Sequence, residues 1–563
     1  MPTGLVAVEP AAVRERIQQD LPILQACYEL SLAKVPELGG RFMLSFDVIS
    51  SGFVQDVTLQ EQGCQYHQHK KGLVQPGIAT TSLAKIEHVV VLTLENRSFD
   101  NLVGWLYTPE LPAKTFVMPV SSQPPYYDGL AYGNFSNPNV PSALPISVPV
   151  QRGADHFTIP DPDPHEAFQY VTKQLYGDHK PVFGDVAPMN GFVRNYATVE
   201  GSTPEHIMQT YTPEQLPVLS FLARQFAISD AWFSSVPTQT QANRAFLHSG
   251  TSDGQVNNGN PFFYGSKTIF NVLSDYDVSW RVYSDSGVLP SLVRLNMTRL
   301  WSPIFNRHFQ RFEQFKRDAA SGRLPAYSFI EPRFIHDAPF VGGTVNSEHP
   351  PTNVQAGEQF LADVYTALFR GANWDKTVLI ITFDEHGGIY DHVSPPWGAV
   401  PPDDKSQPGK QGFYFDRFGV RVATIVVSPW VDESVVFRSF STPYDHTSIL
   451  ATIMDWQGIP RGELPSKRVQ AAANITSVFR RVTPRKMPDM IHLPPWNVMK
   501  EQSDFAMGKR KLTDFEKGVI GAYTHYMNHL KGKKFNQREL KQILDHIKTL
   551  SDANKHIHRL RQQ

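Results

Sequence analysis

The chain has 563 residues, enough to bury a large core and to carry more than one domain. Its 53 Lys and Arg nearly balance 54 Asp and Glu, so no whole-protein field steers it toward nucleic acid. Only Cys27 and Cys64 are present, which excludes a disulfide framework and a Cys-rich zinc site.

From Met1 to Ile17 there is no basic segment followed by an apolar run, so no signal peptide is evident. No later stretch approaches the roughly 20 apolar residues of a membrane span. As it stands the chain reads as cytoplasmic. Residues 1–63 read as a small α+β module. Pro10 to Leu32 has helical apolar spacing. Arg41 to Ile49 and Phe53 to Leu59 alternate as two strands around Ser50-Ser51-Gly52. The wording Cys27-Tyr28-Glu29, Pro36-Glu37-Leu38-Gly39-Gly40-Arg41 and Ser51-Gly52-Phe53-Val54 resembles the TonB-C-like modules of envelope proteins. Residues 64–85, with the His/Lys tract Gln65 to Lys71, read as a linker.

From Ile86 strands alternate with helices, which predicts an α/β domain over residues 86–482. His88 to Leu94 is an apolar strand of the buried parallel type. It ends in Glu95-Asn96-Arg97-Ser98, where Glu95 and Asn96 supply oxygens suited to a hard cation. Asn96 and Ser98 would equally suit a helix cap. Trp105 to Pro149 reads as a long loop region. His165, His349 and His392 lie in turn-rich loops, where histidine suits metal binding or proton transfer. Thr240 stands just before a predicted helix, where a cation would make its hydroxyl a nucleophile. A threonine there is more commonly a helix cap. Arg244 follows, to anchor the turn or a phosphate. Further elements are expected at Leu216–Phe226, Trp280–Tyr283, Gly357–Leu368 and Arg421–Val427.

The strand Thr377 to Thr382 runs into Asp384-Glu385-His386-Gly387-Gly388. Ligands in open α/β sheets bind beyond the carboxyl ends of strands. Two adjacent carboxylates there repel, and a cation is the simplest way to keep both ionised. The glycines allow a sharp turn. After residue 482 the chain becomes basic and helical. Residues 501–563 hold 13 Lys and Arg against 7 Asp and Glu. Asp514 to Leu530 and Gln537 to Leu550 read as amphipathic helices, a solvated appendage or packing arm before an anionic-surface binder.

Together these residues resemble the bacterial phosphoesterases that include phospholipases C, plant non-specific phospholipases C and related acid phosphatases. The matching stretches are Glu95 to Asp100, Pro162 to Glu166, Met189 to Phe192, Thr240 to Arg244, Glu331-Pro332-Arg333, His349-Pro350-Pro351, Asp384 to Gly388, Tyr390 to Val393, and Phe418 to Val422. The resemblance implies an alkaline-phosphatase-like sheet flanked by helices, to which the basic helical pattern adds a C-terminal extension at residues 483–563. It implies Thr240 as nucleophile and Glu95, Asn96, Thr240, Asp384 and Glu385 as ligands of a divalent metal ion. Oxygen-rich ligands favour Ca, Mg or Mn, with Zn still open. His165 and His349 would protonate the leaving group or contact phosphoryl oxygens, and Asn96, Arg244 and His392 would bind substrate. His386 is left without a role.

The expected partner is a phospholipid or phosphate-ester substrate, with peripheral membrane-surface contact, no nucleic acid and no transmembrane segment. The Trp105 to Pro149 loops and Trp397 offer apolar surface for an acyl part. By resemblance the location would be envelope or secreted. Asn101, Pro164, Asn190 and Gln241-Ala242 depart from the family's usual residues, which bears on substrate choice. The reading is a phospholipase C. Its alternatives are a broad acid phosphatase and a non-catalytic envelope-binding protein. A sulfatase is disfavoured because neither Cys lies in a Cys-x-Pro-x-Arg setting.

Overall fold

The structure, a computed structural model, describes residues 85–119, 126–138, 147–258, 263–287, 289–335, 344–486, 509, 511–534 and 536–562, together with the backbone of two N-terminal strands. The chain divides into two compact units, Met1–Gln75 with Val120–Ser122, and Pro76–Pro119 with Gln123–Gln563. In the first unit, β1 (Phe42–Val48) and β2 (Val54–Glu61) pair antiparallel, with a bulge between Phe46 and Asp47. These are the two strands expected around the Ser-Ser-Gly turn. The expected helix at Pro10 to Leu32, the tract Gln65 to Lys71 and both cysteines lie outside the described residues.

The second unit is built on a nine-stranded sheet. Its strands are β3 (His88–Leu94), β4 (Thr115–Val117), β5 (Ala227–Ser229), β6 (Trp280–Ser284), β7 (Phe309–Arg311), β8 (Tyr327–Glu331), β9 (Thr377–Phe383), β10 (Thr424–Val427) and β11 (Val435–Phe437). They lie in the order β7-β6-β8-β3-β9-β10-β5-β11-β4. Only β10 runs antiparallel to its neighbours; every other pairing in this sheet is parallel. Every residue of the central strands β3 and β9 is buried, as apolar runs free of polar alternation require. The sheet is flanked by helices, among them α1 (Phe99–Val103), α2 (Phe168–Tyr176), α3 (Pro217–Gln225), α4 (Thr240–Ser249), α5 (Val354–Phe369) and α6 (His446–Trp456), so the fold class is α/β.

Three details differ from the sequence reading. Part of the Trp105 to Pro149 loop forms β4, the edge strand beside β11. The expected strand from Arg421 is shorter, starting at Thr424, because Arg421 turns its guanidinium into a buried carboxylate cluster. The expected helix Gln537 to Leu550 is cut in two. Thr549 accepts from the amide of Asp552 while the Asp552 carboxylate accepts from the amide of Thr549, which starts a new helix.

The C-terminal helices are α7 (Asp514–Leu530), α8 (Gln537–His546) and α9 (Leu550–Gln562). They are part of the second unit. Phe515, Val519, Ile520, Tyr523 and Ile557 form one buried cluster with Leu292, Trp301 and Phe334 of the sheet domain. Among the described residues no helix is long and apolar enough to cross a membrane.

Candidate active site

The site is assembled where β3 and β9 end side by side. Leu94 pairs with Phe383, so Glu95 and Asp384 follow as neighbours. The Asp384 amide donates to the Leu94 carbonyl at 3.2 Å. Asn96 adopts a left-handed φ of 54°, which an Asn tolerates better than most residues. That turn aims its amide at Asp384 Oδ1, 3.1 Å away. Ser98 caps the short helix that follows, accepting from the Asn101 amide, so the capping role falls to Ser98. Beyond β9 the chain folds back through Gly387, whose φ is +67°. A Cβ there would lie 2.1 Å from the Asn96 carbonyl oxygen, so the close approach of the two strand ends needs glycine.

Thr240 opens the helix α4 (Thr240–Ser249), but the residue at the cap position is Gln239. The Thr240 hydroxyl is instead free of capping duty and donates to Asn96 Oδ1 at 3.2 Å. One turn along α4, Arg244 points the same way, as i and i+4 residues do. Its Nε lies 3.2 Å from Asp384 Oδ2 and 3.2 Å from Glu95 Oε1. The strand ends and α4 thus bring Glu95, Asn96, Thr240, Arg244 and Asp384 into one buried network, joined by Glu385 next to Asp384.

Three residues given no role by the sequence join it. Glu166 accepts the Asn96 side-chain amide at 2.7 Å. His446 donates from Nε2 to the Asp384 carbonyl oxygen at 2.6 Å. Gln174 accepts from His386 Nε2 at 3.0 Å, while His386 Nδ1 lies 3.2 Å from Glu385 Oε2. Burial holds His386 neutral, its pKa lowered to about 3. Uncharged, it forms no ion pair with Glu385. Glu166 could have been found in the Pro162 to Glu166 motif; only the histidine was singled out there.

His165 and His349 flank this network. His165 is half-buried and stacks on Tyr170 at 4.1 Å, with its pKa lowered by burial, an effect the Asp514 carboxylate opposes. His349 is buried, with Nδ1 2.6 Å from the Pro350 carbonyl oxygen and 3.7 Å from Asp163 Oδ1. Asp163, Glu166 and His349 bring ligand atoms within 4.8 Å of one another.

His392 is placed elsewhere. Its Nδ1 lies 2.7 Å from Asp100 and its Nε2 3.2 Å from Asp128. Arg421 binds the same Asp100 at 3.1 Å and Asp391 at 3.0 Å. Burial disfavours a charged His392, but the two carboxylates outweigh it and raise its pKa to about 9. The structure gives His392 partners in this ionic cluster and none in the Thr240 network.

Glu95, Glu166, Asp384 and Glu385 are all at most 5% exposed. Burial, reinforced by their mutual repulsion, raises the pKa of Glu95, Glu166 and Glu385 well above the usual carboxylate range. Neither Glu95 Oε2 nor Glu385 Oε1 receives a hydrogen bond among the described residues. Buried carboxylate oxygens without donors, beside an amide oxygen and a hydroxyl, form a donor set that fits a hard divalent cation.

The sequence model of the Phosphoesterase family matches residues 86–460. The chain is 33% identical over 474 residues to non-specific phospholipase C6 of Arabidopsis thaliana, covering 82% of this chain and 86% of that protein. It is 27% identical over 447 residues to phospholipase C A of Mycobacterium tuberculosis, covering 71% of this chain and 78% of that protein. Among solved structures, a protein of the alkaline phosphatase superfamily from Vibrio parahaemolyticus matches 46% of this chain and 63% of its own, at 9% identity and a TM-score of 0.28. With its sheet domain matched from the first central strand to beyond His446, the chain belongs to the Phosphoesterase family.

Proposed function

We propose that the protein is a phosphoric-ester hydrolase of the phospholipase C type, with Thr240 as the nucleophile. The observation that carries this is the Thr240 hydroxyl. It is fully buried, does not cap its helix, and points through Asn96 into a nest of four carboxylates. The substrate is a phospholipid or a related phosphate ester.

The Thr240 oxygen attacks phosphorus in line as its proton passes to the neighbouring carboxylate nest, and the bond from phosphorus to the alcohol oxygen breaks. His165 or His349 donates the proton that the leaving alcohol takes up. Water then displaces Thr240 from phosphorus, which releases the head-group phosphate and restores the hydroxyl. Asn96 orients Thr240, and Arg244 fixes Asp384 and Glu95. A divalent cation held by Glu95, Asn96, Thr240, Asp384 and Glu385 would lower the pKa of the hydroxyl and offset charge on the phosphoryl oxygens. The oxygen donors favour Ca, Mg or Mn over Zn.

A lipid substrate is favoured over a soluble monoester by one surface feature. Val182, Phe183 and Val186 stand 62%, 60% and 80% exposed on one loop, with Phe183 packed 5.5 Å from Trp397. Exposed apolar side chains grouped this way suit contact with acyl chains.

The test is hydrolysis of phosphatidylcholine, phosphatidylglycerol and p-nitrophenyl phosphate by the purified protein, with and without chelator, beside Thr240→Ala. Diacylglycerol release that is lost with chelator and in the variant is expected. Full activity in Thr240→Ala would reject the nucleophile, and nitrophenol release without diacylglycerol would select the phosphatase.

A further inference from the structure

Between the C-terminal helices and the sheet domain lies a cavity of about 770 Å³. Ligand pockets of this order, about 300–1,000 Å³, enclose a small molecule. Its inner wall is made by Ala167 and Gln239, the chain neighbours of Glu166 and Thr240. Asn257 and Asn258, also in the wall, fix those two turns. Asn257 accepts from the Phe168 amide at 2.8 Å, and Asn258 accepts from the Gln241 amide at 3.0 Å. The cavity therefore abuts the backbone that carries the proposed nucleophile.

Its outer wall is basic. Lys511 stands just before α7 and Lys517 near its start, while Lys541 comes from α8 and Lys548 from just beyond it. Asp514 and Asp545 are the acidic residues of the lining, and Asp514 is already paired with Lys517 at 3.1 Å. Four lysines against two aspartates leave an excess of positive charge. Leu512, Leu544 and Ile547 supply an apolar floor. Ala167 of this lining stands two residues after His165, the histidine expected to serve the leaving group.

We infer that this cavity binds the head group beyond the scissile phosphorus, and that it selects a head group bearing its own negative charge. This rests on the phospholipase C reading, which sets the reacting phosphate at Thr240. A lysine-lined cavity attracts a second phosphate and repels a quaternary ammonium. Choline esters are then the poorer substrates.

The test is calorimetric titration of the full-length protein with inositol 1,4-bisphosphate, phosphocholine and inorganic phosphate, for the native chain and for Lys541→Glu/Lys548→Glu. Both lysines are exposed, so the variant keeps its fold, which its Tm checks. The native chain is expected to bind the bisphosphate about tenfold tighter than phosphocholine, and the variant to lose about that factor. Binding of inorganic phosphate is expected to stay within about twofold, and that of phosphocholine to rise as the repulsion of its ammonium is removed. Equal affinity for bisphosphate and phosphocholine, or an unchanged bisphosphate affinity in the variant, overturns the inference. An equal loss for inorganic phosphate also overturns it, since the cavity would then be a free-phosphate site. These titrations do not need turnover. Absent phospholipid hydrolysis with the bisphosphate contrast intact would reject the phospholipase reading and keep the anion site.

Discussion

Phe515 of α7 lies against the imidazole of His349, ring centroids 5.3 Å apart and planes 23° apart. Phe515 also packs edge-on to Phe334 at 5.8 Å, and Phe334 covers the Arg244 guanidinium at 4.9 Å. Through Phe515 this helix touches a proposed proton donor directly and reaches Arg244 of the carboxylate nest by way of Phe334. Truncating Phe515 to Ala is expected to cost about 3 kcal/mol of stability, seen as a lower Tm. Turnover should also fall at temperatures where the variant is folded. Phe515→Leu, which keeps most of the volume, separates the effects: normal turnover in both variants would mean that α7 only supports the fold.

Glu166 holds the Asn96 amide that in turn orients Thr240. Glu166→Ala leaves that amide without its acceptor and is expected to lower kcat about tenfold to a hundredfold, with Asn96 free to turn away. Measured Tm should change little, because removing one of four crowded carboxylates relieves repulsion. An unaltered kcat would show that Asn96 needs no support from Glu166.

Gly387→Ala tests the close approach of the strand ends. The added Cβ meets the Asn96 carbonyl and the backbone stands at positive φ, so something must shift. The expected cost is at least about 2 kcal/mol, with kcat falling more than at Gly398, a positive-φ glycine whose Cβ would meet nothing within 4 Å. Comparable effects at the two glycines would mean that φ alone, and not the contact, matters.

The His392 cluster predicts a pH dependence of stability. His392 has a folded pKa of about 9 against an ordinary value near 6.5. A raised histidine pKa stabilises fully below the unfolded value, and that stability is lost as pH rises through the folded value. The contribution is at most about 3 kcal/mol. Tm should therefore fall from about pH 6.5 to about pH 9.5, and His392→Gln should flatten that slope. Asp391, raised by burial to about 6, titrates below this window. Parallel slopes for the native chain and the variant would rule out His392 as the source.

The parts of the fold that were legible in the sequence are those with local causes. β3 and β9 announce themselves as apolar runs that end in carboxylates, and Thr240 as the start of a helix. His446 was not legible, because it meets the site across 62 residues of chain through tertiary packing alone, and Glu166, though inside a matching motif, takes its role from a contact made across 70 residues. His392 was expected at substrate, but its partner Asp100 lies 292 residues away in the chain, and that carboxylate is in turn 321 residues from Arg421, which also binds it. The amphipathic pattern of α7 announced an apolar face without naming what that face covers. The structure gives it Phe334, Leu292 and His349.

The pairing of Leu94 with Phe383 makes the central ladder a ruler for the chemistry beyond it. Side chains alternate along a strand, so a slip of one residue would turn Glu95 or Asp384 to the opposite face. Insertions can accumulate in the surrounding loops without disturbing the spacing of these two acids, whereas a single inserted residue within β3 or β9 would part them. The innermost ladder of a sheet is also the last to exchange its amides. Chemistry hung on its ends therefore persists through the loosening of loops and edge strands and disappears only when the domain itself melts.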